Sequence, residues 1–320
     1  PVRGFHLNTL ASTLTTWQEV VEKFLTANDQ MKKGNVELMK VWTNTEMGQT
    51  WEEDGETIED DELMKRREKY KCEVPEEVLY LTAGVDTQDD RFEIEVVGWG
   101  PEYESWGIRY AAIYGDNSDI NNQVWQDLDA FLLQTFEKPD GTKMKLSCVC
   151  IDSGGHRTNQ VYKFCKARFN RRVFAIKGSN DSAAAYIQKP SKSNREGAYL
   201  FTLGVDTGKS LLMDRLKLEE EGPGFCHFPK EEGKGYDEKY FKGLTSEKKV
   251  MRYKMGRPYF AWELKDKGEH KRNEALDCRN YATAAIEIIN VPLKKPDKKK
   301  DATQAKKIVK RGRRRSGGIL

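Results

Sequence analysis

The sequence predicts an α/β protein whose core is one mixed sheet, an antiparallel meander continued by parallel strands and flanked by helices. Residues 78–114 supply the meander. Leu79-Tyr80-Leu81-Thr82-Ala83-Gly84-Val85 runs into Asp86-Thr87, Gln88-Asp89-Asp90 turns the chain, Phe92, Ile94 and Val96 alternate with Glu93 and Glu95, and a third run spans Trp106 to Tyr114. Residues 124–176 then read helix, strand, helix, strand, the βαβ pattern that demands parallel, right-handed crossovers. Two of these strands are continuous apolar runs, as strands covered on both faces must be, and each stops at a carboxylate followed by a hydroxyl: Val85-Asp86-Thr87 and Ile151-Asp152-Ser153.

The other elements fit around that sheet, which is of ribonuclease H type. Residues 1–75 read as helices and connections, with Trp17, Val20, Val21, Phe24 and Leu25 at helical spacing and Val36, Leu38, Met39 and Trp42 on a second helix. The acidic run 51–62 is expected to be a solvated connector, and the whole segment to be a linker from an upstream domain. The helix of the first crossover carries Val124, Leu128, Phe131 and Leu132, and the next Val161, Tyr162, Phe164 and Cys165. A mobile polar loop is expected at 178–197, a strand at 199–203 and a helix at 207–218 capped by Asp206 or Thr207. A hairpin follows from 249–253 and 259–264, and the last strong helix runs from Arg272 to Ile289. The expected ribonuclease H-type domain is therefore 76–291, and 292–320 a disordered basic tail.

Composition narrows the class. Of 320 residues 38% are hydrophobic and 33% charged, polar for a compact enzyme, so part of the chain should lie outside the core. No run has the length of a membrane span and the N-terminus lacks a signal pattern, so a soluble, intracellular protein is expected. The start at Pro1, in mid-pattern, suggests a fragment. Six scattered cysteines suit buried thiols in a reducing compartment, and without a CxxC pair no zinc site is expected. The formal charge of +3 hides an asymmetry: residues 292–320 hold twelve Lys/Arg against two Asp/Glu, leaving 42 basic and 49 acidic residues before them. Such a tail can bind DNA phosphates or an acidic protein surface.

Three carboxylates are the candidates for chemistry. On the last helix Asp277, Tyr281, Ala284 and Ile288 share one face, which is apolar further along and should lie on the sheet. Asp277 would then point at the sheet, where an unpaired carboxylate costs several kcal/mol. If the first and fourth strands are neighbours, Asp86, Asp152 and Asp277 meet, and divalent cations would resolve their repulsion and act on a phosphodiester. Asp206, Glu274, Lys177 and His156 are auxiliary candidates. Gly204-x-x-x-Gly208-Lys209-Ser210 is similar to a phosphate-binding loop but has one residue too few between its glycines. No nucleotide site is assigned, and Lys209 is expected to be dispensable for cleavage.

The string of Leu81–Gln88 with Asp90-Arg91-Phe92-Glu93, Gly98-Trp99-Gly100-Pro101, Ile151-Asp152-Ser153-Gly154-Gly155, Ile176-Lys177-Gly178, Asp206-Thr207, His227-Phe228-Pro229 and Arg272–Cys278 resembles the nuclease domain of lambda-type large terminase subunits. Arg3–Asn8 is similar to the final stretch of that family's ATPase domain. The resemblance covers about residues 76–290. It implies a Mg2+- or Mn2+-dependent endonuclease that cuts concatemeric double-stranded viral DNA during packaging in the host cytoplasm, works with a small terminase subunit and docks on the portal protein through its C-terminal end. Lacking a complete Walker A motif, the chain should cut without translocating. A non-catalytic docking module of the motor and a resolvase-type structure-selective nuclease are the alternatives.

Overall fold

Eleven strands and eight α-helices form along the residues that the computed structural model describes, 7–32, 37–49, 58–254, 257–265 and 272–294. Helices α1 (Trp17–Lys32), α2 (Glu37–Thr45) and α3 (Asp60–Lys65) precede the meander β1 (Tyr80–Thr87), β2 (Arg91–Trp99) and β3 (Ser105–Tyr114). Next come α4 (Gln123–Leu132), a small ribbon of β4 (Phe136–Glu137) and β5 (Lys143–Met144), then β6 (Leu146–Asp152), α5 (Thr158–Ala167) and β7 (Val173–Gly178). The chain continues through β8 (Leu200–Leu203), α6 (Val205–Leu216), β9 (Cys226–His227), α7 (Glu238–Leu244), the hairpin β10 (Glu247–Lys254) and β11 (Arg257–Leu264), and α8 (Glu274–Ile289).

Seven strands make one sheet in the order β8-β7-β6-β1-β2-β3-β9. β1, β2 and β3 pair antiparallel, whereas β6, β7 and β8 follow β1 in parallel, which is the expected ribonuclease H-like mixed sheet. β1 lies centrally, and its residues from Leu81 to Asp86 are all buried. Leu81, Ala83 and Val85 face a layer that includes Trp125, Leu128, Val161 and Phe164 from α4 and α5. The opposite face receives α8, whose Ala282, Ala284, Ala285 and Ile286 are buried. Each large aliphatic side chain so buried contributes about 1.5–3 kcal/mol, enough to hold the two helical layers on the sheet.

α8 comes unusually near because Gly84 lacks a side chain. A Cβ there would stand 2.0 Å from the Cys278 carbonyl oxygen and 2.5 Å from the Ala282 nitrogen. Thr82, two residues away on the same face, donates from Oγ1 to the Ala282 carbonyl at 2.8 Å and accepts the Trp99 indole N–H at 2.7 Å. These contacts fix the height of α8 along β1.

Several expectations need correcting. The polar stretch 178–197 is docked rather than loose: Ile187 bridges Leu203, Ser191 bridges Leu200, and the Tyr186 hydroxyl donates to the Asn280 carbonyl at 2.6 Å. α6 begins at Val205 with Gly204 as its cap residue and no side-chain cap, so neither Asp206 nor Thr207 caps it; the Thr207 hydroxyl instead donates to the Ala184 carbonyl. Glu59, Asp61 and Glu62 are exposed as a solvated connector requires, but Ile58 and Leu63 beside them are buried in a cluster with Phe241 and Leu244 of α7. The rest of that acidic run, 51–57, lies outside the described residues, as does the tail from 295 onward. Leu293, assigned by the sequence to the tail, is 8% exposed, and its carbonyl accepts the Glu102 N–H. Among the described residues no helix is long and apolar enough to cross a membrane.

Candidate active site

Parallel pairing sets Val85 opposite Ile151, so Asp86 and Asp152 leave adjacent strands at the same level. On the other side Asp86 pairs with Glu93 of β2. α8 brings its first turns to this rim, where the Cys278 thiol donates to the Glu93 carbonyl oxygen at 3.2 Å. Asp86, Asp152 and Asp277 thus lie toward one end of the sheet, near enough for the charges of Asp277 and Asp152 to act on Asp86.

Burial pushes the Asp86 carboxyl up to about 8, with the charges of Asp277 and Asp152 adding to the shift. Asp152 is raised to about 6, again chiefly by burial, while the Gly154 N–H that it accepts at 3.1 Å works the other way. Asp277 is raised as well by burial, against the pull of Lys209. The Gln88 amide donates to Asp86, and among the described residues no cationic side chain forms an ion pair with Asp86 or Asp152. Two adjacent, poorly compensated carboxylates bind protons more tightly than ordinary ones, and a hard cation would offset the repulsion between them.

Asp277 is the exception, because Lys209 sits 3.0 Å from its Oδ1 and 2.8 Å from Glu247 Oε1. Burial works against the ammonium charge, yet Asp277 and Glu247 hold its pKa above the ordinary lysine value. Both partners of the Lys209–Asp277 pair are raised, since one buried ammonium serves two carboxylates and does not offset the desolvation of Asp277. Asn273 links the same pair, donating from Nδ2 to Glu247 at 2.8 Å and to Asp277 at 2.9 Å. Among the described residues, only Glu68, Glu221 and His227 bring three ligand atoms of this kind within 4.8 Å of one another, so the three aspartates stand further apart than that.

The auxiliary candidates divide. Glu274 is buried at the rim and bound to Arg91 Nη2 at 2.6 Å; Arg91 also holds Glu93 at 2.8 Å, so the two carboxylates share one guanidinium. Asp206 is half-buried and raised by burial, with Lys209 lowering and Glu247 raising it, on the first turn of α6. His156, with its side chain 82% exposed, meets Asp89 at 3.2 Å on the rim. Lys177 is exposed at the end of β7, two strands from Asp86.

The resemblance of Gly204–Ser210 to a phosphate loop has a different cause. A Cβ at Gly204 would meet the Ala184 carbonyl oxygen at 2.2 Å, and one at Gly208 would meet Tyr186 and Asn280 at 2.2 and 2.3 Å. The glycines admit neighbouring chain, and the lysine is buried against the carboxylates of Glu247 and Asp277. Sequence reading also missed Glu247, Asn273 and Arg91. Asn273, four residues before Asp277, was within reach of helical spacing; Glu247 was not, because its hairpin is far away in sequence.

Residues 2–299 match the family model described as terminase large subunit gpA, endonuclease domain. The chain is 37% identical over 290 residues to the terminase large subunit of Escherichia phage lambda, and 33% identical over 290 residues to that of Enterobacteria phage P21. Each alignment covers 89% of this chain and 43% of the relative, so the chain spans less than half the length of the curated relatives it matches. A lysine-to-alanine mutant nuclease domain of the large terminase subunit gp2 of bacterial virus Sf6, solved with manganese, aligns over 70% of this chain and 96% of its own at a TM-score of 0.44 and 18% identity. By the family match and by both phage relatives, the chain belongs to the endonuclease domain family of the terminase large subunit gpA.

Proposed function

We propose that this chain is a divalent-metal-dependent endodeoxyribonuclease that cuts concatemeric double-stranded DNA for packaging into a phage head, within the host cytoplasm. The observation that carries the reading is the gathering of Asp86, Asp152 and Asp277 at one rim, two of them held well above ordinary carboxylate values without an ion-paired side chain. A docking platform has no reason to bury such a set. Residues 76–291 are proposed as the nuclease unit, residues 1–75 as its connection to an upstream ATPase domain and residues 292–320 as a basic tail.

The donors are all carboxylate oxygens, which suit Mg2+ or Mn2+, and Asp86, Asp152 and Asp277 would hold the ions, two in number. Bound there, the ions supply Lewis acidity to the scissile phosphate and to the attacking and leaving oxygens. The chain's own residues set the frame. Gln88 orients Asp86, the Gly154 N–H orients Asp152, and the Lys209, Glu247 and Asn273 network fixes Asp277. His156, Lys177 and Asp206 would act as auxiliary contacts for DNA phosphates or for a cation. Double-stranded DNA, a small terminase subunit and the portal protein, reached through the C-terminal end, are the proposed partners.

Asp86→Asn keeps the side chain's shape and removes its charge. Plasmid nicking in Mg2+ or Mn2+ should fall by several orders of magnitude with the unfolding transition intact. Full activity in that variant would overturn the assignment.

A further inference from the structure

His227 lies at the edge of the sheet opposite β8 and is 6% exposed in its side chain. Its ring is held from three sides. It stacks on Trp106 with centroids 4.8 Å apart and an interplanar angle of 3°, packs at 71° to the Phe225 ring with centroids 4.7 Å apart, and places Nε2 3.1 Å from Glu104 Oε1. Nδ1 then faces Glu68 Oε1 at 2.7 Å, and Glu68, Glu221 and His227 bring one ligand atom each within 4.8 Å of one another. Arg66, over the neighbouring Phe225 ring, donates its guanidinium hydrogens to the Leu216 and Leu218 carbonyls.

We propose that Glu68, Glu221 and His227 form a second metal site, for a borderline transition cation such as Zn2+, which staples residues 58–74 to the sheet edge. An imidazole nitrogen with two carboxylate oxygens is a donor set that Zn2+ takes readily, and nitrogen favours it over Mg2+. Glu104 on the far nitrogen is the carboxylate partner that fixes a ligating histidine's tautomer and aims its other nitrogen at the ion. Ligands around a tetrahedral Zn2+ stand about 3.3 Å apart, so Glu68 need only move outward by a few tenths of an ångström from its present contact. Its side chain, 42% exposed, has room to do so, while its backbone stays pinned between Phe228 and Lys230.

The site is separate from the catalytic rim. Trp106 pairs with Gly98, and Gly98 with Leu81, so His227 is three strands over and five residues along from Asp86, roughly 20 Å by sheet spacing. It ties together two segments distant in sequence: the stretch after α3, which carries Glu68, and the stretch from the loop after α6 into β9, which carries Glu221 and His227. The cysteine pattern gives no hint of it, because its ligands are one histidine and two carboxylates.

The test counts metal on the full chain. Asp86→Asn/Asp152→Asn protein, in which the catalytic set is disabled, is stripped with chelator and dialysed against Zn2+ in excess Mg2+. One equivalent of Zn2+ should remain, and Co2+ in its place should give visible d–d bands. Exposed Glu221→Gln in that background should weaken Zn2+ binding by about ten-fold or more, and Glu104→Gln by about 10- to 100-fold. His227→Gln should abolish it; should that buried substitution unfold the protein, Glu221→Gln decides. Failure of the Asp86→Asn/Asp152→Asn protein to retain Zn2+, or unchanged affinity in Glu221→Gln, would overturn the site. Neither result bears on the nuclease reading, which rests on other residues.

Discussion

Gly84 of β1 lies directly beneath Cys278 of α8, so near that a methyl group on Gly84 would stand 2.0 Å from the Cys278 carbonyl oxygen. The obstacle is helix backbone, which cannot rotate away as a side chain would. Gly84→Ala should therefore lift the start of α8 and carry Asp277 off the rim. Overpacking of this kind costs about 1–3 kcal/mol. We expect a lower melting temperature together with a loss of nicking at least ten-fold larger than the stability change explains, measured where the variant is still folded.

Lys209 is the single ammonium between Glu247 and Asp277. Replacing it with Met leaves two buried carboxylates facing one another, and removing one partner of a buried pair costs about 3–5 kcal/mol. Mn2+ should restore more of the melting temperature in Lys209→Met than in the parent, because Asp277 is then released to the ion. Equal Mn2+ shifts in the two proteins would show that Lys209 does not compete for Asp277.

The pH dependence of the metal-free protein follows from proton counting. Asp86 is held at about 8 when folded and returns to an ordinary carboxyl when unfolded, so between about pH 4 and 8 the folded state binds more protons. Its favourable term is fully present below the unfolded value and is lost as pH rises toward 8. Asp152, at about 6, acts the same way over a narrower window. Thermal melts in EDTA should fall steadily from pH 5 to 8, and Asp86→Asn should flatten the slope. A melting temperature that rises over this range would contradict the burial of these groups.

Arg279 and Glu95 form an ion pair at 3.5 Å beneath the meander, 1% and 0% exposed. Tyr236 and Tyr240 donate to the same Glu95 oxygen at 3.1 and 2.8 Å, and the guanidinium lies 5.0 Å from the centre of the Phe228 ring. Arg279→Met should destabilise by about 3–5 kcal/mol, since it leaves a buried carboxylate with neutral partners. Adding Glu95→Leu should recover a large part of that loss. Urea titrations of the two single variants and the double variant give the coupling energy directly.

Much of the architecture was readable along the chain. The run to Asp86, the run to Asp152 and the small-residue face after Asp277 are local patterns, because a strand buried on both faces and a helix laid on a sheet each leave a periodic trace. Of β9 the sequence shows no more than a short extended piece, Phe225–Pro229: two residues, Cys226 and His227, are too short to show a period, and only pairing with Ser105 and Trp106 makes them a strand. The docking of 178–197 was equally hidden, since its polar composition is that of a loop whether or not Tyr186 inserts against Asn280.

The sequence by itself determined which strands end in carboxylates and which helix brings the third, since identity and spacing along one segment suffice for that. Only the tertiary structure decided what those carboxylates face. Lys209, read locally as part of an incomplete phosphate loop, is a counter-charge to Asp277 because α6 and α8 pack together, and Glu247 joins them from a hairpin. The same holds at His227, whose carboxylate neighbours come from positions 68, 104 and 221. Electrostatic partnership depends on distance through space, and in a mixed sheet with crossover helices the shortest spatial distances join residues far apart in sequence.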